Sequence, residues 1–112
     1  MTRKDRVALV TGGTRGIGFA VSSRLAREGF AVVISGRSEK SVASAVERLE
    51  RSGPPGSFSG RPADARSEAD QQSLVTFVER THGRLDVLVN NAGVGEFDSV
   101  EKLGPSRFRE VV

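Results

Sequence analysis

Thr11-Gly12-Gly13-Thr14-Arg15-Gly16-Ile17-Gly18 places four glycines in eight positions, directly after the apolar run Val7-Ala8-Leu9-Val10. A strand that runs into such a turn and then into a helix aims free N–H groups, and the positive end of the helix dipole, at whatever lies in the turn. That arrangement attracts anions. On this reading Gly12 permits a tight turn, Gly16 removes a side chain where a phosphate would approach the backbone, and Gly18 lets the helix lie close to its sheet. The spacing, Gly12-x-x-x-Gly16-x-Gly18, is related to the common G-x-G-x-x-G dinucleotide fingerprint but differs from it. Taken alone, the turn is also compatible with simple loop closure. A second signal stands at Asn90-Asn91-Ala92-Gly93, directly after the apolar run Leu85 to Val89. Ligands of open α/β sheets bind beyond the carboxyl ends of strands, and both motifs fall at such ends.

Other chemistries find less support. His82 is the only histidine; it precedes Gly83 and no G-x-S-x-G nucleophile elbow accompanies it, so a capping or solvent-facing role is expected. Glu68 with Asp70, and Glu96 with Asp98, suit a first helical turn and a polar loop better than a general acid/base pair. The chain has no cysteine, which excludes disulfides and thiolate metal sites; no metal site is expected, and a reducing compartment, by default the cytoplasm, is the natural location. The start, MTRKDRVALVTGG, has too short an apolar run for a signal peptide, and no stretch approaches membrane-spanning length. Net charge is +3, but arginines are scattered among acids, as in Glu47-Arg48-Leu49-Glu50-Arg51, which suits a solvated helix face. With no tyrosine or tryptophan to stack on bases, a nucleic-acid partner is not expected.

The elements that must position the glycine turn follow from hydrophobic period. Val7–Val10, Ala31–Ile34 and Leu85–Val89 are apolar runs of the kind a strand buried on both faces requires, and Ser57–Arg61 is a weaker strand built around Phe58. Between them the period lengthens to that of amphipathic helices: Ile17, Val21 and Leu25; Val42, Ala45, Val46 and Leu49; Leu74, Phe77, Val78 and Thr81. Ser38 and Ser67 can cap helix starts, and Gly29, Gly53 and Gly83 follow helix ends. A fourth helix is expected to open at Gly104-Pro105, with Phe108, Val111 and Val112 inward. Alternation of strand and helix makes a parallel sheet with right-handed crossovers.

With TGxxxGIG and NNAG both intact and in order, the sequence resembles the short-chain dehydrogenase/reductase family across all 112 residues. The resemblance implies an α/β fold: a Rossmann-type doubly wound parallel sheet of strand order 3-2-1-4 in one domain over residues 1–112, truncated after the fourth strand and the start of the following helix. It also implies a cofactor site. Thr11, Gly12, Thr14, Gly16, Ile17 and Gly18 match the loop that holds a pyrophosphate; Asn91, Ala92 and Gly93 match the motif that steadies the sheet beside the cofactor ribose. Asp64, with Ala65 next to it, matches the aspartate that accepts a hydrogen bond from the adenine amine, although an acid there also suits a loop or a helix start.

A site selecting NAD(H) carries an acid at the end of the second strand for the ribose 2′-OH. Here Gly36 holds that place and Arg37-Ser38 follows, while Arg15 sits inside the glycine loop. Each arginine alone could be a surface charge; together, with no competing acid, they favour NADP(H) over NAD(H). The family's reaction, interconversion of alcohol and ketone by hydride transfer, uses a serine and a Tyr-x-x-x-Lys motif, and this chain has no tyrosine. No catalytic residue is therefore assigned, and the chain alone is expected to bind cofactor without turnover. Two alternatives stand beside this: a non-catalytic nucleotide-binding or interaction module docking on a partner, and a truncated product without function. A fourth strand left unpaired at the sheet edge would favour self-association or a complementing chain there.

Overall fold

A computed structural model describes residues 6–14, 16–54, 57–64, 66–90 and 109–111. Strand β1 (Arg6–Thr11) is followed by α1 (Gly16–Arg27), β2 (Phe30–Gly36), α2 (Glu39–Ser52), β3 (Phe58–Pro62), α3 (Glu68–His82), β4 (Val87–Asn90) and β5 (Arg109–Val111). All strands are parallel, in the order β3-β2-β1-β4-β5. This is the expected doubly wound arrangement, with β1 between β2 and β4.

Because β1 has neighbours on both sides and helices on both faces, its side chains alternate between two cores. Ala8 and Val10 join Val32, Ile34, Phe58 and Val89 on the face covered by α1 and α2, where Ala26, Val42, Ala45 and Leu49 meet them. Val7 and Leu9 join Ala31, Val33 and Leu88 on the opposite face, beneath Leu74, Val75 and Val78 of α3. Burying one such valine or leucine contributes about 1.5–3 kcal/mol, which explains why unbroken apolar runs appear at these positions.

Four local expectations are corrected. The buried face of α1 is Gly18, Ser22, Ser23 and Ala26, whereas Val21 and Leu25 pack half-buried at its margin and Ile17 is 73% exposed. Small residues let the helix axis approach the sheet, so the larger aliphatic residues serve as flanks; the Ser22 hydroxyl is satisfied internally, donating to Gly18 O at 2.8 Å. On α3, Thr81 is exposed and Val75 takes its place in the core. Strand β4 begins at Val87 and not at Leu85, because the side chain of Asp86 replaces a ladder carbonyl: its Oδ2 accepts the Val7 N–H at 2.8 Å while its own N–H donates to Val7 O at 2.9 Å. Finally, Arg109–Val111, expected within a helix, is a strand whose ladder runs along Val87–Val89. The backbone groups on that side of β4 thus find partners, and the edge expected to lie open at β4 is covered there. The proposed helix start at Gly104-Pro105 lies outside the described residues, as do Phe108 and Val112.

Candidate functional site

The carboxyl end of β1 is fixed before the chain turns. Thr11 is buried, and its Oγ1 lies 3.3 Å from Val89 O and 3.2 Å from Asn90 Oδ1, so its hydroxyl ties the ends of β1 and β4 together. Gly12 (φ 70°) and Gly16 (φ 62°) then adopt backbone that L-residues with a Cβ avoid. The tight turn expected of Gly12 is therefore present. A Cβ added at Gly16 would meet nothing within 4 Å, so the backbone at the first residue of α1 borders open space. The first turn of α1 carries no acid that would neutralise the helix dipole. Gly18 is buried, as close packing of helix on sheet requires.

Sequence reasoning gave Gly13 no part, yet it is tightly enclosed. A Cβ there would lie 2.8 Å from both Cβ and Cγ2 of Ile34, and the Gly13 N–H donates to Ser35 O at 3.1 Å. Arg48 was also missed. Its guanidinium crosses from α2 to donate to Thr14 O at 3.0 Å and lies 4.8 Å from the Phe19 ring centroid, bracing the turn from outside. The alternation Glu47-Arg48-Leu49-Glu50-Arg51 is the solvated pattern expected for Arg51, which pairs with Glu47 at 3.2 Å. Nothing in that pattern marks Arg48 as the residue that reaches a loop 34 positions earlier.

Strand β2 delivers Arg37 and Ser38 to the same edge of the sheet. Arg37 is exposed and makes no hydrogen bond or ion pair with other described residues. Ser38 caps α2: its Oγ accepts the Ser41 N–H at 3.1 Å and donates to Ser41 Oγ at 2.9 Å. Strand β3 ends beside them, where Ala63 N–H donates to Gly36 O at 2.9 Å. Asp64 follows. Its Oδ1 accepts from the Arg66 backbone N–H at 2.9 Å and from Arg66 Nε at 3.4 Å, and these bonds, aided by the field of Arg37, hold its carboxyl below the ordinary aspartate range. Oδ2 has no partner among the described residues.

Thr11, Gly12, Thr14, Gly16, Ile17, Gly18, Arg37, Ser38 and Asp64 thus gather along one carboxyl edge formed by β1, β2 and β3. Arg15, Ala65, Asn91, Ala92 and Gly93 lie outside the described residues. His82 ends α3, roughly 20 Å of helix from its capped start. Among the described residues there is no group of three or more side chains able to hold a metal ion, and no helix is long and apolar enough to cross a membrane.

The family model for short chain dehydrogenases matches residues 6–112. The chain belongs to that family. Its relatives among characterised short chain dehydrogenases include the 3alpha-hydroxysteroid dehydrogenase of Mediterraneibacter gnavus, 37% identical over 112 residues, covering all of this chain and 45% of that protein. Human dehydrogenase/reductase SDR family member 4 is 42% identical over 101 residues, covering 87% of this chain and 36% of that protein. Among solved structures, an actinorhodin polyketide ketoreductase with NADPH superposes with a TM-score of 0.76 at 36% identity, covering 95% of this chain and 40% of the other. The Pseudomonas aeruginosa RhlG/NADP active-site complex gives 0.73 at 37%, covering 91% and 40%. This short chain dehydrogenase sequence spans less than half the length of each of these relatives, and what it matches is the amino-terminal part of the family's fold.

Proposed function

We propose that this chain forms the NADP(H)-binding part of a short chain dehydrogenase whose reaction interconverts an alcohol and a ketone. The observation that carries the reading is the juxtaposition, along one sheet edge, of an open glycine turn at the start of α1 with an exposed Arg37 at the end of β2, where no acid stands. The turn supplies the backbone donors and helix dipole that a pyrophosphate needs, and Gly16 leaves it room. Arg37, joined on the sequence resemblance by Arg15, would hold the 2′-phosphate; a charge-assisted hydrogen bond of this kind contributes about 1.5–3 kcal/mol. Asp64 would accept the adenine amine through Oδ2. Ser38 and Ala65 would line the adenosine, and Asn91, Ala92 and Gly93 the ribose.

Exposed Ile17 offers an apolar surface beside the phosphates that water would otherwise cover. Bound nicotinamide dinucleotide supplies or takes up the hydride. The serine and Tyr-x-x-x-Lys groups that would polarise and protonate a carbonyl are not assigned here, and these 112 residues hold no tyrosine. The proposed role of this chain by itself is to bind and orient cofactor.

Calorimetric titration of the folded chain tests this directly. NADPH is expected to bind more tightly than NADH, and Arg37→Glu should cost NADPH at least about tenfold in affinity while leaving NADH nearly unchanged. Equal affinity for the two dinucleotides in the parent chain, or an Arg37→Glu variant that keeps its NADPH affinity, would overturn the assignment.

A further inference from the structure

Gly36 occupies the place where an acid would select the unphosphorylated ribose, and the structure shows what stands in the way of one. A Cβ added at Gly36 would lie 2.6 Å from Thr14 Cγ2, 3.2 Å from Val42 Cγ2 and 3.7 Å from Ser41 Oγ. Carbon pairs pack favourably at about 3.5–4.0 Å, so the first of these contacts cannot persist. Val42 is buried in the α2 interface and has little room to give. Thr14 is stiff at χ1, and the Arg48 bond to its carbonyl keeps the turn from receding. The nearest obstacle is therefore one methyl group, carried by the glycine turn and directed at the end of β2, with Val42 Cγ2 the second.

We propose that Thr14 decides whether position 36 can carry the acid that would select NAD(H). Its methyl fills the space a side chain at position 36 requires, so a carboxylate cannot enter beside Arg37 while that methyl is present. A switch toward NAD(H) by an acid at position 36 therefore requires a change at Thr14 as well. The proposal rests on the NADP(H) reading above for its ligand, while the steric coupling stands on packing alone.

Thr14→Ser tests the methyl alone, because it deletes Cγ2 and keeps the hydroxyl. Four chains are compared by calorimetry with NADPH and NADH: the parent, Thr14→Ser, Gly36→Asp and the double variant. Gly36→Asp alone should lose NADPH affinity and gain none for NADH. The double variant should bind NADH at least about tenfold more tightly than Gly36→Asp, the size of one charge-assisted hydrogen bond.

Thermal melts of Gly36→Ala, made with and without Thr14→Ser, read the steric coupling without any cofactor. Gly36→Ala should lower the midpoint clearly in the parent and markedly less in the Thr14→Ser background. Equal losses in both backgrounds, or a Gly36→Asp chain that already matches the double variant for NADH, would overturn the proposal even when the parent binds NADPH. A parent chain that binds neither dinucleotide overturns the cofactor reading and the selection role together.

Discussion

The junctions β1–α1 and β3–α3 both turn a parallel strand into a helix, yet they treat the helix start in opposite ways. At β3–α3 the chain answers its own backbone: Ser67 Oγ accepts the Asp70 N–H at 3.1 Å, Asp70 Oδ2 accepts the Asp64 N–H at 2.8 Å, and Asp64 O accepts the Ser67 N–H at 3.0 Å. At β1–α1 two glycines with positive φ carry the chain through, no acid stands in the first turn, and the bracing comes from Arg48 on a carbonyl at the outer side. One junction is closed by its own side chains; the other leaves the first residue of its helix bordering open space, with no acid in the first turn. A capped helix start adds local stability, whereas a glycine-lined start gives some up and leaves backbone N–H groups uncapped by acid side chains.

Four variants would break or sharpen this contrast, beginning with the largest effect. Gly13→Val drives a branched side chain into Ile34 and should destabilise the fold by about 2–3 kcal/mol, read by urea denaturation; a loss under about 0.5 kcal/mol would show that the turn can move away from β2. Gly16→Ala should cost about 1–2 kcal/mol through backbone strain alone, since its Cβ would meet no atom, and NADPH affinity should fall beyond what stability explains. Ser67→Ala should cost about 1 kcal/mol in the melt and lower NADPH affinity less than Gly16→Ala does, because the Ser67 hydroxyl caps α3 while Asp64 of the same junction keeps its carboxylate. The smallest effect concerns acid. Asp64 titrates lower in the folded chain than in the unfolded chain, so its contribution is present above the ordinary aspartate range near pH 4 and disappears as pH falls through the depressed folded value. Asp64→Asn should remove a small part of the acid-side slope of stability against pH, and an unchanged slope would argue that Arg66 does not hold the carboxylate in solution.

Much of this contrast was legible in the residues. Hydrophobic period located the three helices and the strands because a sheet covered on both faces demands unbroken apolar runs, and Ser38 and Ser67 marked their caps through the side-chain oxygen each helix start needs. What escaped were contacts that depend on distance in space. The inward face of α1 was misread because glycine, serine and alanine pack closer than Val21 and Leu25 allow, and hydrophobicity alone ranks them the wrong way. Gly13 and Gly36 carry steric constraints set by Ile34 and Thr14, and no local spacing encodes either pair. Arg48 looked like one more charge on a wet helix, since its target is a backbone carbonyl that sequence does not display. The strand at Arg109–Val111 was hidden behind a Gly-Pro pair that reads as a helix start.

The Asp86 bracket on Val7 joins residues 79 positions apart. During synthesis β1 can lie against β2 early, but the other flank of the central strand has no partner until the chain near residue 90 has left the ribosome. Closing so long a loop is entropically costly and slow, and until it closes one side of the apolar strand β1 is bare. The innermost strand of the finished sheet is thus the one whose assembly is completed late, and nascent chains caught in that interval are the form most exposed to aggregation or chaperone capture.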